Sequence, residues 1–205
     1  MDVESFHNRL RELYLPPENE FTLIDVPEIR YAVIDGSGNP ESEEVKKASK
    51  WLYSVVHVVK PYLKERMGKN FVDPPLEYQF WADEEKDFIS ENKDLWYWRV
   101  MVVFTDWIDQ ERFEDAVGFV EKKLGPAPWT LRLEDQHEGK SVQITHIGDY
   151  DGVKAVCDEL YNGFLPKNNL KPNGHYHEIY LNDPNRTAPD KRRIVIRQPV
   201  VQLLP

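Results

Sequence analysis

Arg30-Tyr31-Ala32-Val33-Ile34-Asp35-Gly36-Ser37-Gly38-Asn39-Pro40 is the stretch on which the fold turns. Tyr31, Val33 and Asp35 alternate with Arg30, Ala32 and Ile34, the period of a strand, and Gly36-Ser37-Gly38 ends it. Asn39 then stands where a helix cap is expected. Pro40 would be the first helical residue, because its ring presets the helical φ and it has no N–H to satisfy. Beyond it Val45, Ala48, Leu52, Val55, Val59 and Tyr62 recur at steps of three and four, which makes one apolar helix face. Pro61 has no N–H for the carbonyl of His57, so a kink or an end is expected one turn before Gly68.

Outward from this helix, strands are expected at about 75–82 and 94–104, separated by the acidic loop Asp83 to Asp94. The element order is strand, helix, strand, strand. Phe113, Ala116, Val117, Val120 and Leu124 then mark a connector helix over about 109–124, closed by Gly125-Pro126. The first plan returns after it. A strand at about 140–147 leads into the loop Gly148-Asp149-Tyr150-Asp151-Gly152. A helix follows with Val153, Val156, Cys157, Leu160 and Phe164, and strands at about 175–182 and 193–200 complete the unit. Before the opening stretch, Phe6, Leu10 and Leu13 give a short helix over 4–14 that stops at Pro16-Pro17.

Tyr31 to Gly36 aligns with Gln143 to Gly148, and Leu76-Glu77 with His177-Glu178. The expectation is one α+β domain over residues 1–205, built from duplicated strand-helix-strand-strand modules at about 26–104 and 140–200. These would form an antiparallel sheet with helices on one face and a ligand groove at the pseudo-twofold.

Lys and Arg number 26 against 36 Asp and Glu, a net charge of −10, so a phosphate backbone is repelled and nucleic acid is not expected as a partner. Lys191-Arg192-Arg193 is the one basic run and reads as a solvated turn. Cys157 is the single cysteine, which excludes an internal disulfide framework and fits a reducing compartment. Residues 1–15 lack the pattern of a secretory signal and no uncharged run reaches membrane length, so a cytoplasmic chain without membrane contact is expected. No cofactor motif is present. Six Trp, ten Tyr and nine Phe exceed what a core of this size requires, which directs attention to aromatic residues lining a site.

Strand alternation puts Tyr176, Glu178 and Tyr180 on one face and His175, His177 and Ile179 on the other. A mid-strand carboxylate among aromatics in an apolar groove would have a raised pKa, suited to general acid–base work. The alternative is a solvated face of an edge strand. Glu77, Gln79 and Trp81 share a face in the first half, and Trp96, Trp98 and Val100 share one opposite Tyr97 and Arg99. Across the pseudo-twofold, Glu77 would enter the groove opposite Glu178. His175-x-His177 has a metal-binding spacing but no third convergent ligand, so no metal is expected. Gly36-x-Gly38 lacks the later residues of a phosphate loop, and no serine or cysteine stands as a nucleophile.

Val26 to Pro40, Trp51-Leu52-Tyr53, Leu76-Glu77 with Trp81, and His177-Glu178-Ile179-Tyr180-Leu181 before Asn182-Asp183-Pro184 resemble the stand-alone GyrI-like proteins, from about residue 20 to 201. The resemblance implies a groove for hydrophobic, often cationic, aromatic molecules, with a central glutamate that falls on Glu178. One branch, the cyclopropanoid cyclopropyl hydrolases, opens cyclopropane-bearing genotoxic compounds with water and so protects the cell. For that chemistry the resemblance implies Glu178 and Glu77 as the acid–base pair and Tyr180 as donor, with Trp81, Trp98, Tyr150 and Tyr176 lining the ligand. Two other readings stand beside it: a protein that sequesters lipophilic cations, and a gyrase-inhibitor-like interaction protein. No helix-turn-helix precedes residue 20, so direct DNA contact is not implied.

Overall fold

The computed structural model describes residue 8 and residues 11–67, 73–83, 92–104 and 108–203. The chain divides into two compact units, Ile29–Gln136 and Asp2–Glu28 joined with His137–Pro205. Among the described residues no helix is long and apolar enough to cross a membrane.

In the first unit, the part of β1 (Thr22–Ser37) from residue 29 onward pairs antiparallel with β3 (Tyr97–Val103), from Tyr31↔Val103 to Ser37↔Tyr97. β3 pairs antiparallel with β2 (Leu76–Trp81) on its other edge, from Glu77↔Met101 to Trp81↔Tyr97. Between β1 and β2 runs α1 (Glu43–Met67), whose Val45, Ala48, Leu52, Val55, Val56 and Val59 are buried. The Ser49 and Tyr78 hydroxyls meet at 3.1 Å, which fixes the sheet face beneath α1 as that of Tyr78, Phe80, Trp98 and Val100. α2 (Gln110–Leu124) packs on α1, capped by Asp109, whose side chain accepts from the Arg112 N–H. This is the expected order of strand, helix, strand, strand.

Two local expectations give way. The Asn39 carboxamide accepts from the Glu41 N–H at 2.9 Å, so it closes a turn two residues on, and α1 starts at Glu43. Of the kink or end expected at Pro61, the end does not occur, since α1 runs on to Met67. His57 and Pro61 both lie on the exposed side, while Val59 and Leu63 continue the buried stripe. The loop from 84 to 91 and the residues Phe6, Leu10 and Gly68 lie outside the described residues; 11–14 are helical.

The second unit repeats the plan. Residues 137–147 of β4 (Arg132–Ile147) belong to it, and β4 pairs antiparallel with β7 (Arg193–Gln202), from Ser141↔Pro199 to Ile147↔Arg193. β7 also pairs with β6 (Tyr176–Tyr180) and with a short strand the sequence did not suggest, β5 (Leu170–Pro172). α3 (Tyr150–Glu159) begins three residues after β4, capped by the Asp149 carboxylate, which accepts from the Gly152 N–H at 3.1 Å. Tyr150, Asp151 and Gly152 are therefore helical and not loop residues. A π-turn over Leu160–Phe164 then leads into the single turn α4 (Leu165–Lys167). Both units are antiparallel and mix helix with strand, so the fold is α+β.

Candidate functional site

β6 carries the candidate site. Its period of two places Tyr176, Glu178 and Tyr180 on one side, and their chemistry converges there. The Tyr176 hydroxyl donates to Glu178 Oε1 at 2.8 Å and the Tyr180 hydroxyl to Glu178 Oε2 at 2.7 Å. Glu178 is 6 % exposed, so the solvated-edge alternative does not hold. Its cross-strand neighbours are Ile196 and, one strand further, Ile144. A carboxylate in such surroundings needs donors on its oxygens, and the two phenols supply them.

α3 supports both phenols from above. Cys157 Sγ lies 3.3 Å from the Tyr176 hydroxyl, and the Tyr150 and Tyr180 hydroxyls are in hydrogen-bond contact, their ring centroids 6.3 Å apart. Burial first, and then the charge of Glu178, raise the Tyr176 and Tyr180 phenols well above the usual tyrosine range. Both stay protonated at neutral pH and remain donors.

The opposite face of this unit's sheet holds a second polar cluster. Gln143, Arg197 and His177 form a cross-strand row. Glu138 accepts from Arg197 Nη1 at 3.0 Å and lies 2.9 Å from His177 Nδ1. Arg197 Nε donates to Gln143 at 3.1 Å and Nη2 to the Leu13 carbonyl at 2.6 Å. Burial alone would raise the Glu138 carboxyl, but His177 and Arg197 outweigh it and bring it down to about 2. Sequence reading missed Glu138 and Arg197. The signal was a charge in the middle of the apolar run Ile194-Val195-Ile196-Arg197. His177 is thus engaged with Glu138. Among the described residues no group of three or more His, Cys, Asp or Glu is placed to hold a metal ion.

In the first unit Glu77 lies opposite Met101 on the face away from α1, fully buried. Gln79, on the same face, donates to Gln136 at 3.1 Å. Trp81 stacks on Tyr97 at 5.8 Å, and the Arg99 guanidinium sits 5.9 Å from the Trp81 ring centre. Asp35 (at 2.6 and 2.9 Å) and Glu134 (at 2.6 Å) hold that guanidinium. Trp98 does not join Trp81. It pairs with Phe80 and with Gly36, on the α1 side of the sheet. A Cβ at Gly36 would come within 2.1 Å of the Trp98 ring, which is why that position is glycine. Trp81 and Trp98 therefore cannot stack on a common ligand. The match of Leu76-Glu77 with His177-Glu178 also needs correction. Glu178 faces the helix of its unit and Glu77 faces away from its own; on β6 the residue facing away from its helix in that way is His177.

A family model described as the GyrI-like small molecule binding domain matches residues 19–200. No curated protein matches. Among solved structures the chain is similar to an uncharacterized conserved protein from Listeria innocua, at 29 % identity and a TM-score of 0.83, over 96 % of this chain and 98 % of that one. It is similar to a hydrolase from Listeria innocua at 27 % identity and a TM-score of 0.76, over 98 % of this chain and 100 % of that one. A further Listeria innocua hydrolase is 28 % identical, with a TM-score of 0.77, over 96 % and 98 %. With a buried carboxylate held between phenols and a match over nearly its whole length, this chain belongs to the GyrI-like small-molecule-binding family.

Proposed function

We propose that the protein binds flat aromatic small molecules, cationic ones included, and hydrolyses those that carry a strained electrophilic cyclopropane, with Glu178 activating the water. The observation that carries this reading is the Glu178 carboxylate, 6 % exposed and held by two phenol donors. Similarity to two Listeria innocua hydrolases at 27 and 28 % identity supports the choice of hydrolysis.

A cyclopropane conjugated to an electron-poor ring opens when water adds to one carbon and the bonding pair enters the conjugated system. Glu178 takes the proton of the attacking water, Tyr180 donates to the Glu178 carboxylate, and the charge that appears on the acceptor is met by a proton from solvent. Tyr176 fixes the carboxylate, and Tyr150 is the aromatic surface proposed for the ligand. Glu77 is the second proposed carboxylate. Detoxification follows from such chemistry, because the opened ring no longer alkylates.

The test is purified protein with a cyclopropane-bearing alkylator, followed by mass spectrometry for the added water. Glu178→Gln should lower turnover by about 10²- to 10⁴-fold while the ligand still binds. Glu77→Gln, made alone and with Glu178→Gln, shows whether the second carboxylate takes part. A wild-type rate equal to buffer would overturn hydrolysis. It would leave a second reading, favoured by the same buried anion beside aromatic rings, in which the protein sequesters lipophilic cations.

A further inference from the structure

Glu178 is buried and, as a base, must lose after each turnover the proton it gains. Of the two phenols that hold it, Tyr176 is itself buried and is contacted beyond by the Cys157 thiol. Tyr180 is also buried, but its hydroxyl meets that of Tyr150, a residue 50 % exposed at the first position of α3. The Asp149 cap fixes that first turn. Glu178, Tyr180 and Tyr150 thus form a hydrogen-bonded row that runs from a buried carboxylate to a side chain open to water.

Resting on the hydrolytic reading above, we propose that Tyr150 is a positioning residue that completes a proton path from Glu178 through Tyr180 to solvent. When water attacks the ring carbon, the C–O bond forms, the ring C–C bond breaks, and the electron pair enters the conjugated acceptor. Glu178 holds the proton from water. The Tyr180 hydroxyl, which donates to the ionised Glu178, turns to Tyr150 once Glu178 is protonated; Glu178 then passes its proton to the Tyr180 oxygen as Tyr180 passes its own to Tyr150 and Tyr150 passes its own to bulk water. The acceptor takes one proton from the same solvent, so the sum is one water added and no net proton gained. Because both Tyr180 neighbours are hydrogen-bonded to it, the hops proceed without a free tyrosinate. The raised Tyr180 phenol is consistent with that, since burial and the Glu178 charge oppose ionisation.

Tyr150→Phe removes one oxygen and keeps the ring. With the cyclopropane-bearing alkylator as substrate, kcat should fall by about tenfold with KM unchanged, less than the roughly 10²- to 10⁴-fold for loss of the base. Added imidazole should restore the rate of Tyr150→Phe in proportion to its concentration and leave Glu178→Gln unaffected. Turnover by Tyr150→Phe equal to wild type, a loss confined to KM, or a loss insensitive to imidazole would overturn the relay while leaving Glu178 as base. Wild-type turnover no faster than buffer, or unaffected by Glu178→Gln, would overturn the hydrolytic reading and the relay with it.

Discussion

Arg197 is a fully buried cation in the centre of β7, and what makes that tolerable is Glu138. An unpaired guanidinium in the interior is costly, and removing one partner of such a pair leaves the other charge uncompensated. Glu138→Gln should therefore destabilise the protein by about 3–5 kcal/mol, read from urea unfolding. The pH dependence has a definite sign. The folded carboxyl is depressed to about 2 from its ordinary 4.5, so the unfolded chain binds the proton more readily. The stabilisation is fully present above pH 4.5 and is lost as the pH falls through 2. Urea midpoints taken down that range should drop in wild type more steeply than in Glu138→Gln. Equal slopes would mean that Glu138 is not held ionised by Arg197 and His177.

At the scale of the element, α3 depends on its first turn. Asp149→Ala removes the cap and should cost about 1 kcal/mol, within the usual range of 0.5–2, in urea unfolding. A cost near zero would show that Asp149 does not hold the Gly152 N–H. Sequence reading placed Asp149 and Tyr150 in a loop, because Gly148 and Gly152 bracket them as turn residues do. Gly152 has another reason to be small: His146 lies 2.4 Å from where its Cβ would stand. The strands that were legible are those with apolar alternation, such as β6 and the core of β1. Residues 132–139 escaped because polar pairs replace apolar ones there: Arg132 and Arg99 share Glu134 and Asp35, and Asp135 holds Arg30. The site was legible in part for the same reason. The alternation of Tyr176, Glu178 and Tyr180 is a property of one strand. Whether Trp81 and Trp98 share a face depends on the register Trp81↔Tyr97, which neither strand states alone. Tyr150 and Cys157 reach the site from a helix, and only the packing of α3 brings them there.

Over the whole molecule, a net charge of −10 sets up a field that draws cations and repels anions at distances far beyond contact. This field is screened within about 10 Å at 0.1 M salt and about 3 Å at 1 M, whereas a buried carboxylate such as Glu178 would act on the proposed ligand only once it is desolvated beside it, and is screened much less. The two contributions therefore separate by kinetics. For a lipophilic aromatic cation, the association rate should fall several-fold as salt rises from about 0.02 to 0.5 M, with the dissociation rate nearly constant. For a neutral aromatic molecule of the same size both rates should be nearly flat, and double-stranded DNA should not compete with either. Glu178→Gln divides the two effects again. It removes the local anion, so the dissociation rate of the cation rises, while one charge in ten leaves the salt slope of its association almost intact. Stopped-flow fluorescence of a cationic dye and its neutral counterpart reads all of this. The same salt dependence for both dyes would mean that the acidic surface has no part in delivering ligands. An unchanged dissociation rate in Glu178→Gln would mean that the buried carboxylate is not what holds the cation.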